Sequence, residues 1–139
     1  MCKVLFIGSN PSQRSTSIEA FWTDTKSSAI LRSWIDKMES PIGTTFHYGN
    51  SCNHVTPNNR PLKVSEIRAG SEILRQLIES IKPTHIVALG KTATKALMIL
   101  DVSFLEFPHP SGLNRKLNDP KYVEDRLKEL SEYLAQPSN

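Results

Sequence analysis

The sequence predicts an α/β fold: a three-layer α/β/α sandwich around a central, mainly parallel four-stranded sheet. Three observations carry this. Two apolar runs, KVLFIG (Lys3–Gly8) and THIVALG (Thr84–Gly90), end at glycine and lack polar alternation, as strands buried on both faces do. Helical patterns separate the strand patterns, which is the order of a parallel sheet with crossover helices. The chain has 139 residues, near the commonest domain size, so one domain spanning 1–139 is expected.

The elements follow in order. After the first strand comes SNPSQRSTS, made only of polar residues and proline. Ile18–Met38 then reads as helix, in one or two pieces, with Ile30, Leu31, Trp34, Ile35 and Met38 on one face. TTFHYGN (Thr44–Asn50) is a short β-rich run, and a loop follows. Lys63–Pro83 is the clearest helix, with Ser65 as its expected cap. Its expected buried stripe is Ile67, Leu74, Leu77, Ile78 and Ile81, and Pro83 stops it. The second buried strand leads into a short helix, Lys91–Leu100. Val102–Pro108 is the last strand. Asp119–Gln136 is an amphipathic helix with Asp119 at its N-cap and Pro120 in its first turn.

The bulk numbers exclude several classes. No apolar run approaches the roughly 20 residues of a membrane span, so no membrane partner is expected. The formal charge of +3 permits an anionic partner without requiring one. The two cysteines, Cys2 and Cys52, have no neighbours at zinc-ligand spacing and are too few for an iron–sulfur cluster. His47, His54, His85 and His109 are scattered, and His85 lies within an apolar strand where a core role is expected. Neither a metal nor a cofactor is expected. MCKVLFIGSN is too short and strand-like for a signal peptide, so the expected location is cytoplasmic, with nucleoid association in a bacterial host.

In open α/β sheets ligands bind beyond the carboxyl ends of the strands. There the chain carries GSNPS, GNSCNHVTPNNR, GKTATK and HPSGLNR. GSNPS lacks the spacing of a phosphate loop or a dinucleotide fingerprint. By itself it reads as a strand-to-helix turn. GKTATKA lacks the leading glycine of a phosphate loop, although a helix N-terminus there could hold a phosphate. HPSGLNR is the odd stretch. A turn accounts for its proline and glycine but not for the apolar Leu113 between polar neighbours.

GSNPS at the tip of the first strand and HPSGLNR at the tip of the last together resemble the uracil-DNA glycosylase superfamily, closest to its mismatch-specific uracil/thymine and single-strand-selective branches. GNSCNHVTPNNRP and IKPTHIVALGKTATKAL resemble the intervening segments, so the likeness covers nearly the whole chain. It implies a monofunctional DNA glycosylase, active in base-excision repair. Such an enzyme flips a uracil or related modified base from single- or double-stranded DNA and hydrolyses its N-glycosidic bond, leaving an abasic site. By the same resemblance Asn10 positions the attacking water, and His109 stabilises the departing base anion. Asn50, with Asn53 as rival, reads the base edge. Phe21, or Trp22 beside it, stacks on the base. Gly8, Ser9, Pro11 and Ser12 complete the pocket. Leu113 is the implied wedge that fills the gap left by the flipped base. Ser111, Gly112, Asn114, Arg115, Arg60 and Lys91, with Lys116, are implied contacts to DNA. No lysine stands in the matched motifs for a Schiff base, so strand cleavage is not expected. The protein is expected to act as a monomer. Three other readings stay open: a non-catalytic binder of modified or single-stranded DNA, a glycosylase for a hypermodified base in phage or defence biology, and a nucleotide-metabolising enzyme acting on free nucleosides.

Overall fold

The computed structural model describes residues 2–8, 26–50, 63–110 and 115–136. The first apolar run forms β1, Lys3–Gly8. Val4 and Phe6 point to one face and Leu5 and Ile7 to the other, and all four are fully buried. This explains the absence of alternation, since neither face meets water. Lys26–Lys37 forms α1 and Thr45–Asn50 forms β2, which pairs with β1 in parallel so that Gly8 lies beside Asn50. The part of the expected first helix before Lys26 lies outside the described residues.

Val64–Ile81 forms α2. Its cap differs from the expectation. Lys63 occupies the N-cap and Ser65 falls inside the first turn. Glu66 does the capping, accepting the Lys63 backbone N–H at 2.8 Å, which is the carboxylate half of a capping box. At the other end Lys82 turns left-handed (φ 53°) and its N–H bonds the Ile78 carbonyl before Pro83 ends the path. Ile67 and Leu74 of the expected stripe are buried, and Leu77, Ile78 and Ile81 pack beside them.

His85–Leu89 forms β3 and Lys91–Leu100 forms α3. β4 is shorter than the sequence suggests, only Leu105–Phe107, because just these residues pair with Val87–Leu89. A 3-10 turn, Arg115–Asn118, leads to α4, Pro120–Leu134. Asp119 caps α4 as expected, accepting from the Lys121 N–H at 3.0 Å, with Pro120 at the first helical position.

The four strands are all parallel, in the order β2-β1-β3-β4. One apolar cluster joins α1 and α4 to Val4, Phe6, Val87 and Leu89. The other joins α2 and α3 to Leu5, Ile7, Ile86 and Ala88. The layers are therefore α/β/α, as the strand patterns require. His85 is a core residue, 3% exposed. Its Nε2 lies 3.0 Å from the Gln136 carbonyl, its Nδ1 2.9 Å from Thr84 Oγ1, and the Tyr133 ring meets it edge-on. It ties the end of α4 to the amino edge of the sheet. Among the described residues no helix is long and apolar enough to cross a membrane.

The strand order has one consequence for function. β1 feeds α1 on one face of the sheet, and β3 feeds α3 on the other. Connections leaving neighbouring strands toward opposite faces open a crevice between the carboxyl ends of β1 and β3. Gly8 and Gly90 stand at its two sides.

Candidate functional site

Four residues at the carboxyl edge follow the strand order: Asn50 at the end of β2, Gly8 at the end of β1, Gly90 after β3 and His109 beyond β4. Each is placed by local chemistry. Asn50 is 6% exposed. Its Oδ1 accepts from the Tyr48 hydroxyl at 3.0 Å. Tyr48 and Asn50 are two residues apart on a strand and so share a face. Burial pushes the Tyr48 phenol well above its ordinary pKa, so it keeps its proton. The other end of the Asn50 amide is different: Nδ2 is buried and has no hydrogen-bond partner among the described residues. Such a group carries the full cost of its lost water.

Gly8 is required by this arrangement. A Cβ at that position would lie 1.9 Å from Tyr48 Oη and 3.3 Å from Asn50 Oδ1. The hydroxyl occupies the space a side chain would need.

His109 sits across the crevice against Gly90. Gly90 has φ +94°, and a Cβ there would approach His109 Cβ to 3.1 Å. The Gly90 N–H bonds the Phe107 carbonyl at 2.8 Å, closing the β3 end onto the β4 end. Phe107 in turn packs edge-on against Trp34 of α1, ring centroids 5.3 Å apart. The segment leading to His109 is thus held from both sides. Burial lowers the imidazole pKa, favouring the neutral ring. Replacing Gly90 with alanine should cost about 1–3 kcal/mol, since φ +94° with extended ψ is close to glycine-only backbone. Thermal melting should show a midpoint several degrees lower. An unchanged midpoint would mean that the turn relaxes freely.

The cleft around His109 is lined by Gly90, Lys91, Glu106, Phe107, Pro108, Lys116, Tyr122 and Arg126. Three cations and one acid give it a positive rim. Lys91 is exposed at the first position of α3, where the helix N-terminus adds positive potential. Arg126 also pairs with Glu129 at 2.8 Å. A larger groove runs between α1 and α4 over Ile30, Trp34, Met38 and Leu127 and contains none of the expected site residues.

Of the residues expected from sequence, Gly8, Asn50, Lys91, His109 and Lys116 are placed at this edge. Ser9, Asn10, Pro11, Ser12, Phe21 and Trp22 lie outside the described residues, as do Asn53 and Arg60. So do Ser111, Gly112, Leu113 and Asn114, together with the side chain of Arg115. Tyr48, Tyr122 and Arg126 were not anticipated. Tyr48 had a legible signal, its spacing of two from Asn50. Tyr122 and Arg126 reach the cleft from α4, a tertiary placement with no local signature.

The edge thus offers a buried amide donor, a neutral imidazole and a cationic rim, which suits a neutral, carbonyl-bearing group carried on a phosphate chain. The family model of the uracil DNA glycosylase superfamily matches residues 1–131. The chain belongs to that superfamily. Members of that superfamily typically hydrolyse N-glycosyl bonds in DNA, which supports a glycosylase-type function with DNA as the partner. A search of curated proteins gives no match to the chain.

Proposed function

We propose that this superfamily member is a monofunctional glycosylase that flips uracil, or a related carbonyl-bearing base, out of DNA and hydrolyses its N-glycosidic bond. The observation that carries the reading is the buried, unpartnered Nδ2 of Asn50, set beside Gly8 at the carboxyl edge of the sheet. A buried donor left without a partner calls for an explanation, and a ligand acceptor supplies one. The O4 carbonyl of uracil is a fitting acceptor.

The remaining roles follow from chemistry. A water held by Asn10 attacks C1′. The C1′–N1 bond breaks and its electron pair leaves with the base. Asparagine accepts no proton, so the water's proton passes to solvent. The reaction then leans on stabilising the leaving anion, and the neutral His109 imidazole donates to the base oxygen that gains the charge. Phe21 stacks on the extruded base and Leu113 fills its place in the helix. Lys91 takes a phosphate at the α3 N-terminus, with Arg60, Ser111, Asn114 and Arg115 along the same backbone. The protein works as a monomer and leaves the strand intact until alkali cuts it.

Lys91→Ala should weaken DNA binding almost equally for all sequences and reduce the slope of log K against log salt by about one. Binding titrations at several salt concentrations measure this, and an unchanged slope would remove Lys91 from the interface.

The reading is tested by base release from labelled oligonucleotides, single- and double-stranded. They carry uracil, uracil or thymine opposite guanine, hypoxanthine or hydroxymethyluracil. Alkali-labile product from wild type that disappears in Asn10→Ala and His109→Ala is the expected result. Salt-sensitive binding without product on any substrate would instead support a non-catalytic binder or an enzyme for a hypermodified base.

A further inference from the structure

Asn50 can offer a base either end of its amide. A half-turn about χ2 exchanges the acceptor Oδ1 for the donor Nδ2 with almost no change of shape. A lone asparagine would therefore read a carbonyl and an amine about equally well. Something else in the fold must choose.

The neighbouring strand positions hold what is needed. Tyr48 lies on the same face of β2 as Asn50, and its hydroxyl is 3.0 Å from Oδ1. The phenol is buried and keeps its proton. With that proton on Oδ1, Nδ2 is the remaining end of the amide, buried and without a partner among the described residues. In the opposite orientation the phenol would have to accept from Nδ2, and its own proton would lose the Oδ1 acceptor. The hydroxyl is itself held in place by a missing side chain. Gly8 pairs with Asn50 in register, and a Cβ on Gly8 would fall 1.9 Å from Tyr48 Oη and 2.9 Å from Cζ. Gly8, Tyr48 and Asn50 thus form one unit across two paired strands.

We propose that Tyr48 is a positioning residue: its hydroxyl fixes the direction of the Asn50 amide and thereby makes the site prefer a base with a carbonyl at the edge over one with an amine. The inference rests on the reading of Asn50 given above. Uracil presents O4 to the fixed donor. Cytosine presents its N4 amine, donor against donor, and leaves Nδ2 buried and unpaired. Sites built around a buried polar group reject analogues that leave that group unpaired far more strongly than apolar pockets reject a change of size. Without the phenol the amide is free to turn, and cytosine becomes acceptable.

The test is binding rather than catalysis. Single-stranded oligonucleotides carrying one 2′-fluoro-2′-deoxyuridine or 2′-fluoro-2′-deoxycytidine, whose fluorine resists glycosidic cleavage, are titrated against wild type, Tyr48→Phe and Gly8→Ala. Tyr48→Phe keeps the ring, and Gly8→Ala displaces the hydroxyl by a different route, so the loss of one variant to misfolding leaves the other. The expected result is a wild-type preference for the uracil oligonucleotide that falls at least about tenfold in both variants, with no further loss in the double variant. A preference retained in Tyr48→Phe overturns the inference and leaves Asn50 as the reader. Equal wild-type binding of the two oligonucleotides overturns both the inference and the reading of Asn50. A wild-type preference that collapses in the variants, in a protein that releases no base, sustains the inference and removes the glycosylase.

Discussion

Alanine in place of His109 is expected to slow base release by about 100- to 1,000-fold while DNA affinity stays within about threefold, the pattern of a donor that acts mainly on charge developing in the transition state. His109 lies against Gly90, at the end of a segment anchored by the Gly90–Phe107 hydrogen bond and the Phe107–Trp34 contact. Its chemistry is set by burial, which lowers its pKa below the ordinary 6.5. The folded protein therefore holds this proton less tightly than the unfolded chain does. Between the lowered value and 6.5 the unfolded chain binds more protons, and stability rises with pH across that window. Stability is lost as pH falls from 6.5 toward the lowered value and is unaffected by this group at neutral pH and above. Urea titrations of wild type and His109→Gln should diverge only on acidification. The rate should follow the same logic, level through neutral pH because the neutral ring is the donor. A rate that climbs as pH falls through 6.5 would mean that imidazolium is the donor instead, and the assigned role would be wrong.

The sheet was legible because its physics is local. A strand buried on both faces writes an unbroken apolar run, as in Val4–Ile7 and Ile86–Leu89, and glycine closes each run where the chain must turn. Helix faces were legible for the same reason, through spacing. The cap of α2 was not. Ser65 is the better cap by residue type, but the helix begins one residue before it and Glu66 reaches back to Lys63. β4 was read too long because its length depends on pairing with β3, a partner nearly 20 residues away in sequence. The site divides likewise. Asn50 and His109 could be picked out through the resemblance of the strand-end motifs to a known family. The contacts that make them chemically special could not, because they are contacts between strands. Gly8 reads as a turn glycine, yet the structure gives it a second cause in the Tyr48 hydroxyl. His109 reads by itself as a loop histidine beyond a strand end, and Gly90 lets it press half-buried against the backbone.

Asn50→Ala separates stability from activity more sharply than any other substitution at this edge. The wild-type residue already carries an unsatisfied buried N–H, a burden of about 1–3 kcal/mol that alanine removes. Against that, Tyr48 loses an acceptor worth about 1 kcal/mol, and deletion of the carboxamide leaves a small void that costs a comparable amount. The opposing effects nearly cancel, so thermal and urea unfolding should place the variant within about 1 kcal/mol of wild type, in either direction. Activity has no such cancellation. If Nδ2 binds the base oxygen, its loss should lower kcat/KM for uracil release by about 100- to 1,000-fold, equivalent to about 2.7–4.1 kcal/mol. The two measurements must be made on the same preparation. Lost activity with unchanged stability marks a group kept for its ligand at a cost to the fold, the trade expected at a binding site. Lost stability in proportion to lost activity would make Asn50 a structural residue, its free N–H satisfied by the chain itself, and the base-reading role would have to move to Asn53.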